Sequence, residues 1–290
     1  MIDDNVLVIS YENNMANNTN AQLFKTTLDR NGWKYLFIGE GDEWYGIKTR
    51  VMGYYNTLKN LDANKIVVLS DARDVFCLRN PLTFINSINK ITDIEHKIII
   101  SVEMYLHGHM NWTDKEVNDV LLKDKNFFWQ GIPINNYWKY YDIEEPLRKY
   151  VNGGLIIGKV NNLIQAFEWI IQNNFNDDQL GFANYCNSFP EKVTLDFNAE
   201  ILHSSSFGVN GGLYDEKQKY DSPTLSELLG MHSYFLHIPG LNISKGQLYI
   251  YNTICKIFDT NIITSNELAK LYNITLNDNL NYSYFYTNKT

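Results

Sequence analysis

The sequence predicts an α/β chain built on a mostly parallel central sheet. Two observations carry this. Between residues 5 and 103, apolar β-branched runs alternate with segments of helical periodicity. The runs are apolar almost throughout, with polar tips, as in strands covered on both faces.

The elements follow in order. "NVLVIS" (5–10) is a buried strand, and "NAQLFKTTLDRNGW" (20–33) is a helix stopped by Asn31-Gly32. "KYLFIG" (34–39) is a strand, "KTRVMGYYNTLKNL" (48–61) a helix and "KIVVLS" (65–70) a third strand. A helix near 81–90 and the strand "KIIISVE" (97–103) complete the first part. After residue 104 the pattern loosens into a stretch rich in Trp, Tyr and Asn. It returns with "VNGGLIIGKVNNLIQAFEWIIQNN" (151–174), a strand and then a long amphipathic helix. The polar "FNDDQ" ends that helix, which sets Asp177 and Asp178 at its C-terminus, against the helix dipole. No linker or repeat divides the chain, so a single domain over 1–290 is expected.

Composition narrows the partners. The chain has 290 residues, 44% of them hydrophobic, enough for a full core, and its net charge of −8 argues against general nucleic-acid binding. No run reaches the roughly 18 apolar residues of a membrane span. The acidic start "MIDDNVLVIS" is not expected to act as a secretory signal. Cys77, Cys186 and Cys255 are odd in number and widely spaced, and read as small buried residues.

In parallel sheets, ligands bind beyond the carboxyl ends of the strands. The strand over 65–70 ends there in Asp71-Ala72-Arg73-Asp74. Two carboxylates three residues apart hold one ion only if the chain turns straight after Ser70. Oxygen ligands favour Mg²⁺ or Mn²⁺, and an added imidazole tilts the choice to Mn²⁺. His237 is a candidate third ligand, after a short apolar run and before Pro-Gly. Taken alone, the pair Asp71 and Asp74 is equally a solvated turn. His107 and His109, two apart and without cysteines nearby, make a weak metal signal, and His203 and His232 make no better one.

Together, "GDEWYGIKTRVM", "VVLSDARDVF", "YVNGGLIIG", "NDDQL", "LDFNAEILHS" and "HIPG" resemble the glycosyltransferase domain of multifunctional procollagen lysyl hydroxylases, from about residue 5 to 250. The asparagine-rich chain is most similar to giant-virus members of that family, mimivirus-type procollagen glucosyltransferases. The resemblance implies a GT-A fold, a Rossmann-like nucleotide-diphospho-sugar transferase, with a nucleotide-binding half (about 1–103) and an acceptor-side half (about 104–290). It implies a UDP-sugar donor held through Mn²⁺, with Mg²⁺ as the alternative, on Asp71, Asp74 and His237. Trp44, Lys48, Asn152 and Gly154 match donor-binding positions. Asp177, Asp178 and Gln179 match the acidic segment at the transferred sugar, and Glu103 and Trp112 match acceptor-side positions. The implied reaction moves glucose from UDP-glucose to galactosyl-hydroxylysine of collagen-like proteins, with retention of configuration. Asp177 or Asp178 would stabilise positive charge or orient the acceptor hydroxyl. The implied setting is the host cytoplasm, the viral factory or the virion.

The chain also departs from the family. Its glycine-rich donor loop is short, Arg73 stands where an aromatic is usual, and Val51 stands where an acceptor-side Trp is common. No iron site follows, so hydroxylase activity is not expected. Two other functions remain open: the same fold acting on hydroxylysine directly or on a sugar or virion glycan, and a non-catalytic sugar-nucleotide-binding virion protein. The tyrosine-rich tail "NLNYSYFYTNKT" could dock on the core or on a second subunit, which leaves a homodimer as an option.

Overall fold

The computed structural model describes residues 5–103, 150–175, 178–204, 233–237 and 239. Trp112, Asp177, His107, His109, His232 and Cys255 lie outside the described residues. The chain divides into two units, residues 1–205 with 232–237, and residues 206–231 with 238–290. Every element named below belongs to the first.

The α/β expectation holds. β1 (Val6–Tyr11), α1 (Thr19–Asn31), β2 (Tyr35–Ile38), α2 (Ile47–Leu58) and β3 (Ile66–Ser70) follow in the expected order. α1 starts under Asn18, whose side chain accepts the Ala21 N–H at 3.0 Å. It stops at Gly32, whose φ of 73° is left-handed and costs glycine little. Next come β4 (Val75–Cys77), α3 (Phe84–Ile91), β5 (Ile98–Glu103), β6 (Tyr150–Lys159) and α4 (Val160–Gln172). The described elements close with α5 (Asp178–Ser188), β7 (Val193–Leu195), β8 (Leu202–Ser204) and β9 (Phe235–His237).

The main sheet has six strands in the order β2-β1-β3-β6-β5-β7. β1 is parallel to β2 and β3, and β7 is parallel to β5. β6 runs antiparallel to both β3 and β5. Side chains alternate between two cores, as a period of two requires. Val6, Val8, Ile66, Val68, Leu155 and Ile157 pack with Phe24 of α1 and Phe84 of α3. Ile9, Val67, Leu69, Ile100 and Ile156 pack with Tyr54 of α2, Phe167 of α4 and Phe182 of α5. Each fully buried aliphatic or Phe side chain contributes about 1.5–3 kcal/mol relative to exposure.

Two features depart from the expected order. β4 follows directly on the Asp71–Asp74 turn and forms a second sheet, β4-β9-β8. The polar stretch after α4 does not simply end a helix, because Asp178 opens α5. Its carboxylate therefore sits at a helix N-terminus, which favours it, and not at the C-terminal end expected from the sequence. α5 was hard to read because small residues bury it on several sides. Gly181 approaches α4 so closely that a Cβ there would lie 2.7 Å from Ile170. Cys77 and Cys186 are buried free thiols, and burial pushes the Cys77 thiol well up. Among the described residues, no helix is long and apolar enough to cross a membrane.

Replacing Asn18 with Ala removes the α1 cap, and urea denaturation is expected to show a loss of about 1 kcal/mol.

Candidate metal and donor site

β3 delivers Asp71 to the carboxyl edge of the sheet. The Asp71 N–H still donates to the Gly154 carbonyl of β6, at 2.8 Å, and the chain then bends through Ala72–Asp74 into β4. This is the immediate turn that a shared ion requires. The last β3 carbonyl, on Ser70, accepts from the Tyr54 hydroxyl and the Ser10 hydroxyl, each at 2.8 Å. Tyr54 also accepts the Tyr11 N–H at 3.2 Å, so α2 pins the ends of β1 and β3 together.

β9 brings the imidazole. Its register sets His237 opposite Val75 on one side and Ser204 on the other, one residue from Asp74 in the chain. His237 Nε2 lies 3.5 Å from Asp71 Oδ2 and 3.5 Å from Asp74 Oδ1. One ligand atom from each of the three residues falls within 4.8 Å of the others. On the far side of the ring, Nδ1 is 2.8 Å from Asn152 Oδ1 and 3.0 Å from Ser204 Oγ. Asn152 Oδ1 also accepts the Gly154 N–H at 2.9 Å, which marks it as an acceptor, so Nδ1–H is the donor. Nε2 thus faces the carboxylates, and it is buried with no hydrogen-bond partner.

An orphaned imidazole nitrogen aimed between two carboxylates fits a divalent cation, and its partner on Nδ1 is the outer contact that orients a metal-bound histidine. Electrostatics agrees. Burial disfavours a charged His237, yet Asp74 and Asp71 push its imidazole up to about 10. Burial also opposes ionisation of Asp71, but Arg50, helped by His237, holds its carboxyl well below the usual range. The site demands positive charge, and a proton and a cation compete for one place.

The two glycines after Asn152 have separate steric reasons. A Cβ on Gly154 would lie 2.1 Å from His237 Cε1, inside the ring's contact distance. A Cβ on Gly153 would lie 3.1 Å from the Gln179 backbone, at the start of α5. β6 can pass between the imidazole and α5 only as bare backbone.

Gln179 ties β6 to Glu103, another of the sequence-selected residues. Its Oε1 accepts the Gly153 N–H at 3.3 Å and its Nε2 donates to Glu103 Oε1 at 3.1 Å. Glu103 ends β5 and is buried. Asp178 is buried beside them and accepts the Gln179 N–H at 2.9 Å.

A cleft of about 450 Å³ opens over Asp71, Arg73 and Asp74, with Tyr11, Glu12 and Trp44 on its walls. Trp44 is 49% exposed, and its ring centroid lies 5.9 Å from that of Tyr11. Tyr11 is wedged so tightly that a Cβ on Gly39 or Gly53 would strike its ring at 2.5 and 2.9 Å. Lys48 is exposed on the first turn of α2 and is not among the residues lining this cleft. A second cavity, of about 480 Å³, lies by the amino end of β5, between Glu95, Asn162 and Lys192. It holds none of the three clustered ligands.

Sequence reasoning missed two residues. Arg50 donates from Nη1 to Asp71 Oδ1 and from Nη2 to Asp178 Oδ2, at 2.6 Å for the second. The signal was present: Arg50 shares the face of Val51, Tyr54 and Leu58, which are buried, where an arginine requires a carboxylate partner. Glu12, buried just after β1, takes both arms of the Arg73 fork at 2.7 and 2.9 Å. Arg73, which had no role from sequence, ties the β1 end to the Asp71–Asp74 turn. Val51 is buried in the core.

Replacing Gly154 with Ala must displace the His237 ring, so calorimetric titration is expected to show Mn²⁺ affinity lower by at least about tenfold.

No protein-family model matches the chain, and no curated protein sequence matches it. Among solved structures, it is similar to a glycosyltransferase involved in the glycosylation of the major capsid of PBCV-1. The identity is 9%, over 85% of this chain and 98% of that one, with a TM-score of 0.46. It is also similar to 4-diphosphocytidyl-2C-methyl-D-erythritol synthase from Anaerococcus prevotii. There the identity is 12%, over 74% of this chain and 95% of that one, with a TM-score of 0.33.

Proposed function

We propose that the chain is a metal-dependent, retaining glycosyltransferase of the GT-A type that takes glucose from UDP-glucose. The observation that carries this is the buried, unpartnered His237 Nε2 facing Asp71 and Asp74 at the carboxyl edge of a mostly parallel sheet. A neighbouring cleft with an exposed tryptophan suits a nucleotide. The choice of glucose, and of galactosyl-hydroxylysine in collagen-like chains as acceptor, rests on the motif resemblance.

Asp71, Asp74 and His237 would hold the ion, Mn²⁺ by the chemistry of one nitrogen and carboxylate oxygens. When bound, a divalent cation neutralises the charge that develops on a departing diphosphate. The protein's own groups do the rest. Trp44 and Tyr11 offer an aromatic face to the base. The buried Arg50 Nε, unpaired among the described residues, keeps an N–H for an anionic oxygen beside Asp71. Asp178 and Gln179, the latter bonded to Glu103, are the groups assigned by the motif resemblance to the sugar and the acceptor hydroxyl; none of the three lines the cleft itself. Asp178 is held by Arg50, which suits a group that stabilises positive charge at the sugar better than one that must move.

A UDP-release screen over UDP-sugars with Mn²⁺, with peptides bearing free or galactosylated hydroxylysine, tests the reading. Turnover is expected with UDP-glucose and the galactosylated peptide, lost on chelation and restored by Mn²⁺. Asp74→Asn is expected to lower UDP release by about 100-fold or more, as removal of an ion ligand does. Full activity in that variant overturns the reading. Trp44→Ala is expected to raise KM for the donor about tenfold and leave kcat nearly unchanged, the pattern of lost uniform binding.

A further inference from the structure

Asp71 divides its two oxygens. Oδ2 faces His237 Nε2 at 3.5 Å, on the side of the three clustered ligands. Oδ1 is taken by Arg50 Nη1. Arg50 reaches it from the first turn of α2 and is held from its other side by Asp178, at 2.6 Å. The guanidinium is a rigid planar fork, so it locks the two carboxylates in place relative to each other. The Arg50 side chain is 17% exposed and that of Asp178 is 5% exposed, so water competes weakly for either bond.

We propose that Arg50 is a positioning residue that makes Asp71 a one-oxygen ligand and thereby selects the metal. This rests on the metal-binding reading of Asp71, Asp74 and His237, but not on the sugar donor. Calcium takes six to eight oxygens and readily uses both oxygens of a carboxylate, whereas Mn²⁺ and Mg²⁺ are satisfied by six ligands at short range. A carboxylate oxygen that accepts from a buried arginine keeps a lone pair, but the fork fixes the carboxylate's orientation and disfavours turning both oxygens onto one ion. Arg50 therefore denies Ca²⁺ an oxygen that Mn²⁺ does not need. Asp178 is the anchor that keeps the fork in this position when a cation arrives and competes for the same carboxylate.

The test uses the full chain and metal alone. Mn²⁺ and Ca²⁺ are titrated by calorimetry into the parent protein, Arg50→Gln, Arg50→Lys and Asp178→Asn. The parent is expected to prefer Mn²⁺. Arg50→Gln is expected to narrow the Mn²⁺-over-Ca²⁺ ratio by about tenfold, chiefly by tightening Ca²⁺. Arg50→Lys, whose point charge cannot hold both carboxylates as the planar fork does, is expected to narrow the ratio less than Arg50→Gln, by about threefold. Asp178→Asn, which frees the other arm of the fork, is expected to narrow the ratio by about threefold, and it decides the matter if the Arg50 variants do not fold.

A ratio unchanged in the folded variants overturns the proposal. So do both affinities falling together, as a merely structural defect gives, and a parent protein that does not prefer Mn²⁺. UDP release measured on the same samples separates the two readings. A shifted ratio with no UDP release in the parent overturns the transferase reading alone, and UDP release with an unchanged ratio overturns this proposal alone.

Discussion

Mutual repulsion of Asp71, Asp74 and Asp178, gathered at one end of a sheet, is the constraint that the surrounding structure answers. Buried like charges are costly at low dielectric, so each needs a fixed counter-charge or donor. Arg50 serves two of them and His237 faces the other pairing. Those two side chains are in turn fixed, Arg50 by its place on the buried stripe of α2 and His237 by Asn152 and Ser204. The glycines beside Asn152 follow from the same need, since the imidazole can reach the carboxylates only across bare backbone. Strand order, loop composition and even the small second sheet are legible as means of holding opposite charges at bonding distance.

Much of this was visible in the sequence because hydrophobic periodicity is strong in the first part of the chain. The five strands and helices from Val6 to Ser70 lie within a residue or three of where the pattern put them. The clustering of Asp71, Asp74 and His237 was legible for a different reason: a strand that ends in Asp-x-x-Asp at a sheet edge is wasteful unless the chain turns there. What was not legible depends on partners far away. β4 has three residues and takes its identity from pairing with β9, which no local pattern announces. β6 carries the apolar run Leu155-Ile156-Ile157, and nothing in such a run distinguishes parallel from antiparallel neighbours. α5 was lost because a helix buried on several sides has little periodicity to detect.

The positions at which the chain differs from the motifs it resembles acquire physical content. With Arg73 in place of an aromatic, the turn between Asp71 and Asp74 offers no stacking surface. Instead it is tied by a two-pronged ion pair to Glu12, whose own Oε1 also accepts the Asn14 N–H at 2.9 Å. The aromatic surface is supplied from the other wall, by Trp44 over Tyr11. Val51 is an inward-facing core residue in this packing.

The placement of His237 on β9 has a mechanical side. The three clustered residues come from the turn that joins β3 of the main sheet to β4 of the second, and from β9, far along the chain in that second sheet. A short strand such as β9 is held by few ladder bonds. An ion gripping both segments would act as a cross-link, closing a long loop and removing much of the entropy that the open chain would gain. Ligation and the docking of the second sheet would then be a single cooperative event. The ion would be a structural rivet of the β4-β9-β8 sheet as well as a participant in chemistry.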